Sequence, residues 1–379
     1  MQKRLCQAWG CWDRANEDDT YRAFLRGSSG PEALSADLKE KLVQDSASGY
    51  RWCDLGESLA ASGDAASGDE KTALYCVRRA VLLCPNSAPI LLRAANVNLR
   101  IGDNADALLL LARVLHLTDE LDPIVFSTFE RFGGGTDAAL GSGLPAESRA
   151  GQAFLRYLMA NKRAPADVRK TWDWLERRGL IDRRVSVEYV NYLVASRQFD
   201  AAQAVWLRLA GPDRGDYLKP NMIFNGDFET DPSGVVLDWQ TAPSEGVQVS
   251  LARGESHVGR RALRLDFDAQ QNIAFNHVHQ DVVVGAGRYV FEFYVKADRV
   301  TTDHGAGFHI FDAEAPNRLD VSTPPPLGTT GWDRQTANLT VPPGTRLLRV
   351  ELRRQPSGKF DNKIKGTLWI DSVKLYPAW

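Results

Sequence analysis

Cysteine is scarce and one-sided. The five cysteines, Cys6, Cys11, Cys53, Cys76 and Cys84, all precede residue 85 in a chain of 379 residues. An odd number with no C-x-x-C pair argues against a disulfide framework and against a tetrahedral zinc site. Cys53, Cys76 and Cys84 fall in helix-like runs and read as small buried side chains. An excess of one charge is missing too. Lys plus Arg total 46 and Asp plus Glu 48, a net charge of -2, so no cationic field exists to gather phosphate backbones, which argues against nucleic acid as a partner. Long apolar runs are absent. The longest, ADALLLLARVLHL (105–117), contains Arg113. It falls short of the ~20 residues of a membrane span and reads as a buried helix. The segment MQKRLCQAWGCWDRANEDD lacks the roughly 7–15 consecutive apolar residues of a secretory signal. Signature catalytic motifs are missing as well: there is no G-x-S-x-G, no H-E-x-x-H and no G-x-x-x-x-G-K-[ST]. The run FGGGTDAALGSG (132–143) lacks the Lys-Ser/Thr ending of a phosphate loop and reads as a glycine-rich connector.

What is present suits globular domains. Apolar residues make up 44% and charged residues 25%, an ordinary balance for packed cores, and at roughly 150 residues per domain the length implies two or three domains. The pattern changes near residue 220. Before it, apolar residues recur every three or four positions, which is helical spacing. After it, runs of alternating Val, Phe, Tyr and Leu are separated by Gly, Pro, Asp and Asn turns, which is strand spacing. This divides the chain into a helical segment at 1–48, helical repeats at 49–210, a linker at 211–221 and a strand-rich domain at 222–379.

In the helical half, Trp52, Leu55, Gly56 and Leu59 mark one helix, and Ala73, Val77 and Ala80 the next, with Pro85 after it. Residues 61–72 lengthen the turn between them. Leu91, Ala94 and Ala95, then Gly102, then Ala107, Leu111 and Val114 form a second unit. YVNYLVASRQFDAAQAVWLRLA (189–210) forms a third. Ala73, Ala107 and Ala202 fall where paired helices approach most closely. Helices are expected at 147–160 and 165–178, with Pro165 in a first turn and Gly179 as a C-terminal cap. The spacing resembles the tetratricopeptide repeat of about 34 residues, which implies a solenoid with a concave surface for a protein partner.

In the strand half, four landmarks occur in order. They are Asn225-Gly226-Asp227-Phe228-Glu229 with Trp239 after it; Gly259 before Ala262-Leu263-Arg264-Leu265; Gly287-Arg288-Tyr289 opening a strand that ends Lys296-Ala297; and Trp369-Ile370-Asp371. They resemble the carbohydrate-binding-module type of jelly roll, a galactose-binding-like antiparallel β-sandwich. The combined architecture, a multidomain α and β chain with a helical solenoid before such a sandwich, is similar to products of bacterial exopolysaccharide gene clusters. That resemblance implies a non-enzymatic adaptor of the cell envelope. Its sandwich would hold a polysaccharide or oligosaccharide and its solenoid a protein. A glycan-cleaving enzyme and a purely protein-binding scaffold are the alternatives.

Alternation sorts the side chains. In GRYVFEFYVKA, Tyr289, Phe291, Phe293 and Val295 face inward, leaving Val290, Glu292, Tyr294 and Lys296 outward. In HVHQDVVV, His277, His279 and Asp281 point outward. In LLRVELRR, so do Arg349, Glu351 and Arg353. A pyranose offers an apolar face to a ring and hydroxyls to paired acceptors and donors, so Trp239, His277, His279, Tyr294 and Arg353 are the candidate glycan contacts. Trp239 also reads as core, being an aromatic soon after the first strand. His277 and His279, with His309 converging, could grip a transition metal. The resemblance further implies one structural calcium ion, held by Glu229 and Asp371 with carbonyls around Ser256–Arg260.

Overall fold

The computed structural model describes residues 31–62, 69–131, 134–212 and 214–378. Cys6, Cys11, the segment at 1–30 and residues 63–68 of the inter-helix insertion lie outside the described residues. The chain divides into two compact units between Ile181 and Asp182.

The first unit is helical, as its three-and-four spacing predicts. Its helices are α1 (Pro31–Gln44), α2 (Gly49–Ser62), α3 (Asp69–Leu83), α4 (Ala88–Ile101), α5 (Asn104–Leu117), α6 (Asp122–Arg131), the short α7 (Gly135–Ala138), α8 (Ser148–Ala160) and α9 (Pro165–Arg177). Short connections make consecutive helices antiparallel neighbours. Between α4 and α5 only Gly102 and Asp103 intervene. Gly102 takes φ 91°, and the Asp103 side chain accepts the Asp106 N–H. This glycine closes α4 in the left-handed conformation that other residues resist. Gly179 closes α9 similarly at φ 66°, with Leu180 N–H donating to the Leu175 carbonyl at 3.0 Å.

Helix α2 lies so close to α3 that a Cβ on Gly56 would stand 2.8 Å from Val77 Cγ1. Ala73, Val77, Ala80, Ala94 and Ala107 are all fully buried. Small side chains at these positions set the approach of the helices. Across alternate helices the ties are ionic. Arg93 on α4 reaches back to α2, binding Asp54 and, at 2.7 and 2.8 Å, both oxygens of Glu57. Asp54 is fully buried, so the guanidinium is what permits its charge there. Contrary to the expectation of a loop, residues 135–143 form α7 and one π turn, Ala139–Gly143. Trp174 Nε1–H donates to the Leu140 carbonyl at 2.8 Å, and Gly143 lies against the Phe129 ring. Packing against neighbours overrides the glycine content.

The second unit contains α10 (Arg183–Ala195), α11 (Phe199–Ala210) and ten strands: β1 (Gln240–Thr241), β2 (Val247–Arg253), β3 (Arg261–Asp268), β4 (Phe275–Val283), β5 (Gly287–Thr301), β6 (Gly307–Asp312), β7 (Asp320–Ser322), β8 (Gly328–Val341), β9 (Leu347–Arg354) and β10 (Lys365–Pro377). They form two five-stranded antiparallel sheets, β1-β4-β9-β6-β7 and β2-β3-β10-β5-β8. The inner faces supply one core. Phe308 from the first sheet meets Phe291 and Phe293 of the second edge-on, at centroid distances of 5.1 and 4.7 Å. Gln280, fully buried in that core, is satisfied by the N–H and carbonyl of Phe224, both at 2.9 Å.

Helices α10 and α11, which the sequence pattern reads as a third repeat, pack on the sandwich. Trp206 meets Phe224 at 4.8 Å, and Asn191 bonds the Gly234 carbonyl and the Val236 N–H at 3.0 and 2.9 Å. Their apolar stripe finds the 222–236 segment as its partner.

Replacing Arg93 with Ala removes the guanidinium that binds the buried Asp54 carboxylate and Glu57. Urea unfolding should show the helical unit's transition weakened by about 3–5 kcal/mol. A loss below about 1 kcal/mol would mean the clamp is not what holds α2 and α4 together.

Candidate functional site

The outer face of the first sheet collects the polar side chains. Register fixes the order: His279 of β4 faces Glu351 of β9, which faces His309 of β6, which faces Ser322 of β7. One row over, Asp281, Arg349, Phe311 and Asp320 align. Because Phe308 and Ile310 point into the core, His309 and Phe311 must point out.

The row is tightly bonded. His309 Nδ1 lies 3.1 Å from Glu351 Oε1, and Nε2 lies 3.0 Å from Asp320 Oδ1. Arg353 Nη1 is 3.1 and 3.3 Å from the two ring nitrogens, so its guanidinium spans the imidazole face. Phe311 stacks beside that ring at 4.7 Å and remains partly exposed. Arg349 holds Asp281 through two bonds of 2.7 and 3.0 Å. Burial, reinforced by Arg349, holds the His279 imidazole below its ordinary 6.5. His277, packed 5.5 Å from Phe275, keeps a buried Nδ1 with no hydrogen-bond partner. A cleft of 270 Å3 opens beside Arg353 and His309, lined also by Asp303, His304, Ser322 and Gln355. His309, Glu351 and Asp281 are only 6%, 7% and 5% exposed, so this face presents the half-buried His279, Arg353 and Phe311 to solvent over a buried layer of mutually bonded groups.

The other expected glycan residues lie elsewhere. Tyr294 is on β5, in the second sheet, so its outward side faces away from His277, His279 and Arg353. Its ring is also covered: His257 stacks on it at 3.6 Å. Trp369 on that face is 9% exposed and is flanked by Arg264 and Lys296 at 5.5 and 5.4 Å. Trp239 is 1% exposed, donates its indole N–H to the Asn225 carbonyl at 3.1 Å, and packs on Phe228 at 5.2 Å. Buried between the sheets, it offers no ring to a ligand. The five candidates therefore form one cluster of three, His277, His279 and Arg353, with Tyr294 and Trp239 apart. Phe311 was missed. The alternation in GFHIFD carries the signal for it.

The histidines do not assemble a metal centre. Strand β9 separates His279 from His309, and among the described residues no group of three or more His, Cys, Asp or Glu side chains converges. Glu229 and Asp371 do meet the expected loop, but through its amides. Glu229 Oε1 accepts the N–H groups of Arg260 and Arg261 at 2.5 and 2.8 Å. Asp371 Oδ2 accepts those of His257 and Val258 at 2.7 and 3.0 Å. The carboxylates act as clamps for the 254–260 loop. Gly259 takes φ 74°, and a Cβ there would stand 2.4 Å from Glu229 Oε1. The Arg260 amide is the main cause holding the Glu229 carboxyl below its ordinary 4.5, while burial pushes that of Asp371 up.

No family model matches the chain, and no curated protein does either. Among solved structures, the chain is similar to the enzymatically active domain of bacteriophage CBA120 tailspike protein 4, at 16% identity and a TM-score of 0.31, over 42% of this chain and 21% of that one. It thus spans about a fifth of that domain's length. It is also similar to a family 16 carbohydrate binding module, at 18% identity and a TM-score of 0.30, over 41% of this chain and 99% of that module. A third is TmCBM61 in complex with β-1,4-galactotriose, at 18% and 0.29, over 42% of this chain and 99% of that one. At TM-scores near 0.3 none of them carries an argument about this chain's ligand.

The clamp reading makes two checks on stability. Removing calcium with EDTA should leave the melting temperature within about 1 °C, whereas a rise of several degrees on adding millimolar calcium would contradict it. Because the Glu229 carboxyl is depressed in the folded state, its stabilisation is complete above about pH 4.5 and is lost as pH falls through the lower folded value. Glu229→Gln should therefore flatten the acid limb of a urea-stability-versus-pH curve.

Proposed function

We propose that this protein is a non-enzymatic adaptor in bacterial exopolysaccharide biosynthesis or export, working in the cell envelope. The carbohydrate-binding-module-like sandwich holds the glycan on the outer face of its first sheet, and the tetratricopeptide-like helical unit docks a protein of the assembly machinery. The observation that carries this reading is the row His279, Glu351, His309 and Arg353 beside the half-buried Phe311. Sugars need donors and acceptors held at fixed spacing, plus an apolar ring for their C–H face. Pre-paired side chains lose little rotamer freedom on binding.

Two further features support it. Glu351 and Asp320 each direct an oxygen at His309, which suits positioning of that ring better than acid–base work on a glycosidic bond. In the helical unit, a groove of about 810 Å3 is lined by Val77, Val81, Leu82, Leu109 and Leu110, and Leu82 and Leu109 stay 73% and 57% exposed. Apolar surface of this kind suits a protein partner. Shallow sugar contacts give weak single-site affinity, and a tether to the machinery raises the effective concentration.

Calorimetric titration of the full chain with neutral bacterial exopolysaccharide fragments tests this. Binding in the millimolar range or tighter is expected. Arg353→Ala and Phe311→Ala should each weaken it about tenfold, the loss of one charge-assisted contact or one ring contact, while Tyr294→Ala should leave it unchanged. No binding at millimolar sugar would refute the proposal. Release of new reducing ends would move the reading to a glycan-cleaving enzyme.

A further inference from the structure

Alternation along β9 turns Arg353 outward and Arg354 inward, because Leu348, Val350 and Leu352 commit their side to the core. Arg354 is 1% exposed, and among the described residues its guanidinium bonds no carboxylate. Burial pushes its pKa down, and the charge of Asp303 opposes that. A buried cation without a bonded counter-ion is costly, so what it does bind matters.

Its main acceptors are backbone carbonyls of three separate connections. Nε–H donates to the His304 carbonyl at 3.0 Å, Nη1–H to that of Ile273, and Nη2–H to that of Asn362 at 2.5 Å. These carbonyls belong to the β5–β6 connection (302–306), the β3–β4 connection (269–274) and the β9–β10 connection (355–364). A planar fork of five donors serves three divergent oxygens at once, which a lysine ammonium on a flexible stem does not. The connections are also tied to one another. Ser357 Oγ–H donates to the Asp303 carboxylate, the Asp303 N–H to the Asp361 carbonyl at 3.1 Å, and the Asn272 amide to the Ser357 carbonyl at 2.7 Å.

Two of these connections wall the 270 Å3 cleft beside Arg353. Asp303, His304 and Gly305 come from one and Gln355 from the other, with Ser322 at the end of β7. The side chains of His304, Gln355 and Ser322 are exposed, and an imidazole, an amide and a hydroxyl all exchange hydrogen bonds with the hydroxyl groups of a sugar. We infer that Arg354 is a positioning residue of the glycan site. It touches no ligand. From inside the sandwich it fixes the backbone at His304, so that the cleft continues the outward row and His304 meets a hydroxyl of the bound chain. This rests on the glycan reading above and extends the site past Arg353.

The test is a double-mutant cycle on the full chain, titrated calorimetrically with neutral bacterial exopolysaccharide fragments. Arg354→Lys keeps the charge and loses the fork, and His304→Ala removes the ring from an exposed position. Each should weaken binding about fivefold, the loss of one hydrogen bond. Because both act through one contact, the double variant should lose no more than about tenfold, whereas independent effects would multiply to about 25-fold. Phe311→Ala, on a different element, should multiply with either. If Arg354→Lys is not folded by circular dichroism, Ser357→Ala takes its place, with the same coupling expected, since it cuts the side-chain tie to Asp303. Multiplication of the Arg354→Lys or Ser357→Ala effect with that of His304→Ala would mean a purely structural role, and unchanged affinity in His304→Ala would mean that the cleft takes no sugar. Either result overturns the inference while the sheet-face site stands. If the unaltered protein binds no fragment, the glycan reading fails and this inference falls with it.

Discussion

The edge-to-face packing of Phe308 on Phe291 and Phe293 closes the two sheets on each other. Each ring pair contributes roughly 0.5–1.5 kcal/mol beyond the area it buries, but the larger consequence is directional. A strand has two sides. Once Phe308 and Ile310 are committed to the core, His309 and Phe311 have only the opposite side. The same commitment on β4 and β9 turns out His277, His279, Arg349, Glu351 and Arg353. The outward face is thus set by the inward one.

What that face then does depends on how its charges are arranged. Glu351 and Asp320 hold His309 at both nitrogens, Arg353 spans the ring, and Arg349 holds Asp281. These pairs cost little to keep because the strands beneath them are fixed by antiparallel hydrogen bonds. A face of pre-oriented, mutually neutralised groups discriminates by hydrogen-bond spacing rather than by net charge. That agrees with a chain whose acids and bases nearly balance overall. The second sheet shows the contrast. There His257 stacks on Tyr294, Arg264 and Lys296 flank Trp369, and Glu229 and Asp371 clamp the 254–260 loop.

Much of this was legible in the sequence. Helical and strand spacing divide near residue 220, and the helices beginning at Ser148 and Pro165 fall where the periodicity and Pro165 put them. The inward set of β5 reads directly from alternation, because period two is a local property. Sheet membership is not local. Tyr294 and His279 both point outward, but pairing between distant segments decides that they do so from opposite sheets. The third repeat-like segment was likewise legible as helices and not as a partner of the sandwich, because Trp206 needs Phe224, which follows the linker. For Glu229 and Asp371, the loop they hold could be named from the sequence, but whether its amides or its carbonyls turn toward them is a matter of peptide orientation, which residue types do not encode.

Hydrogen–deuterium exchange of the full chain, with and without a saturating neutral exopolysaccharide fragment, puts the central claim to its most direct test. The account predicts slowed exchange in 275–283, 307–312 and 347–354, the strands that carry the outward row. Slowed exchange confined to 254–260 and 290–296 would place the ligand on the opposite sheet and contradict it.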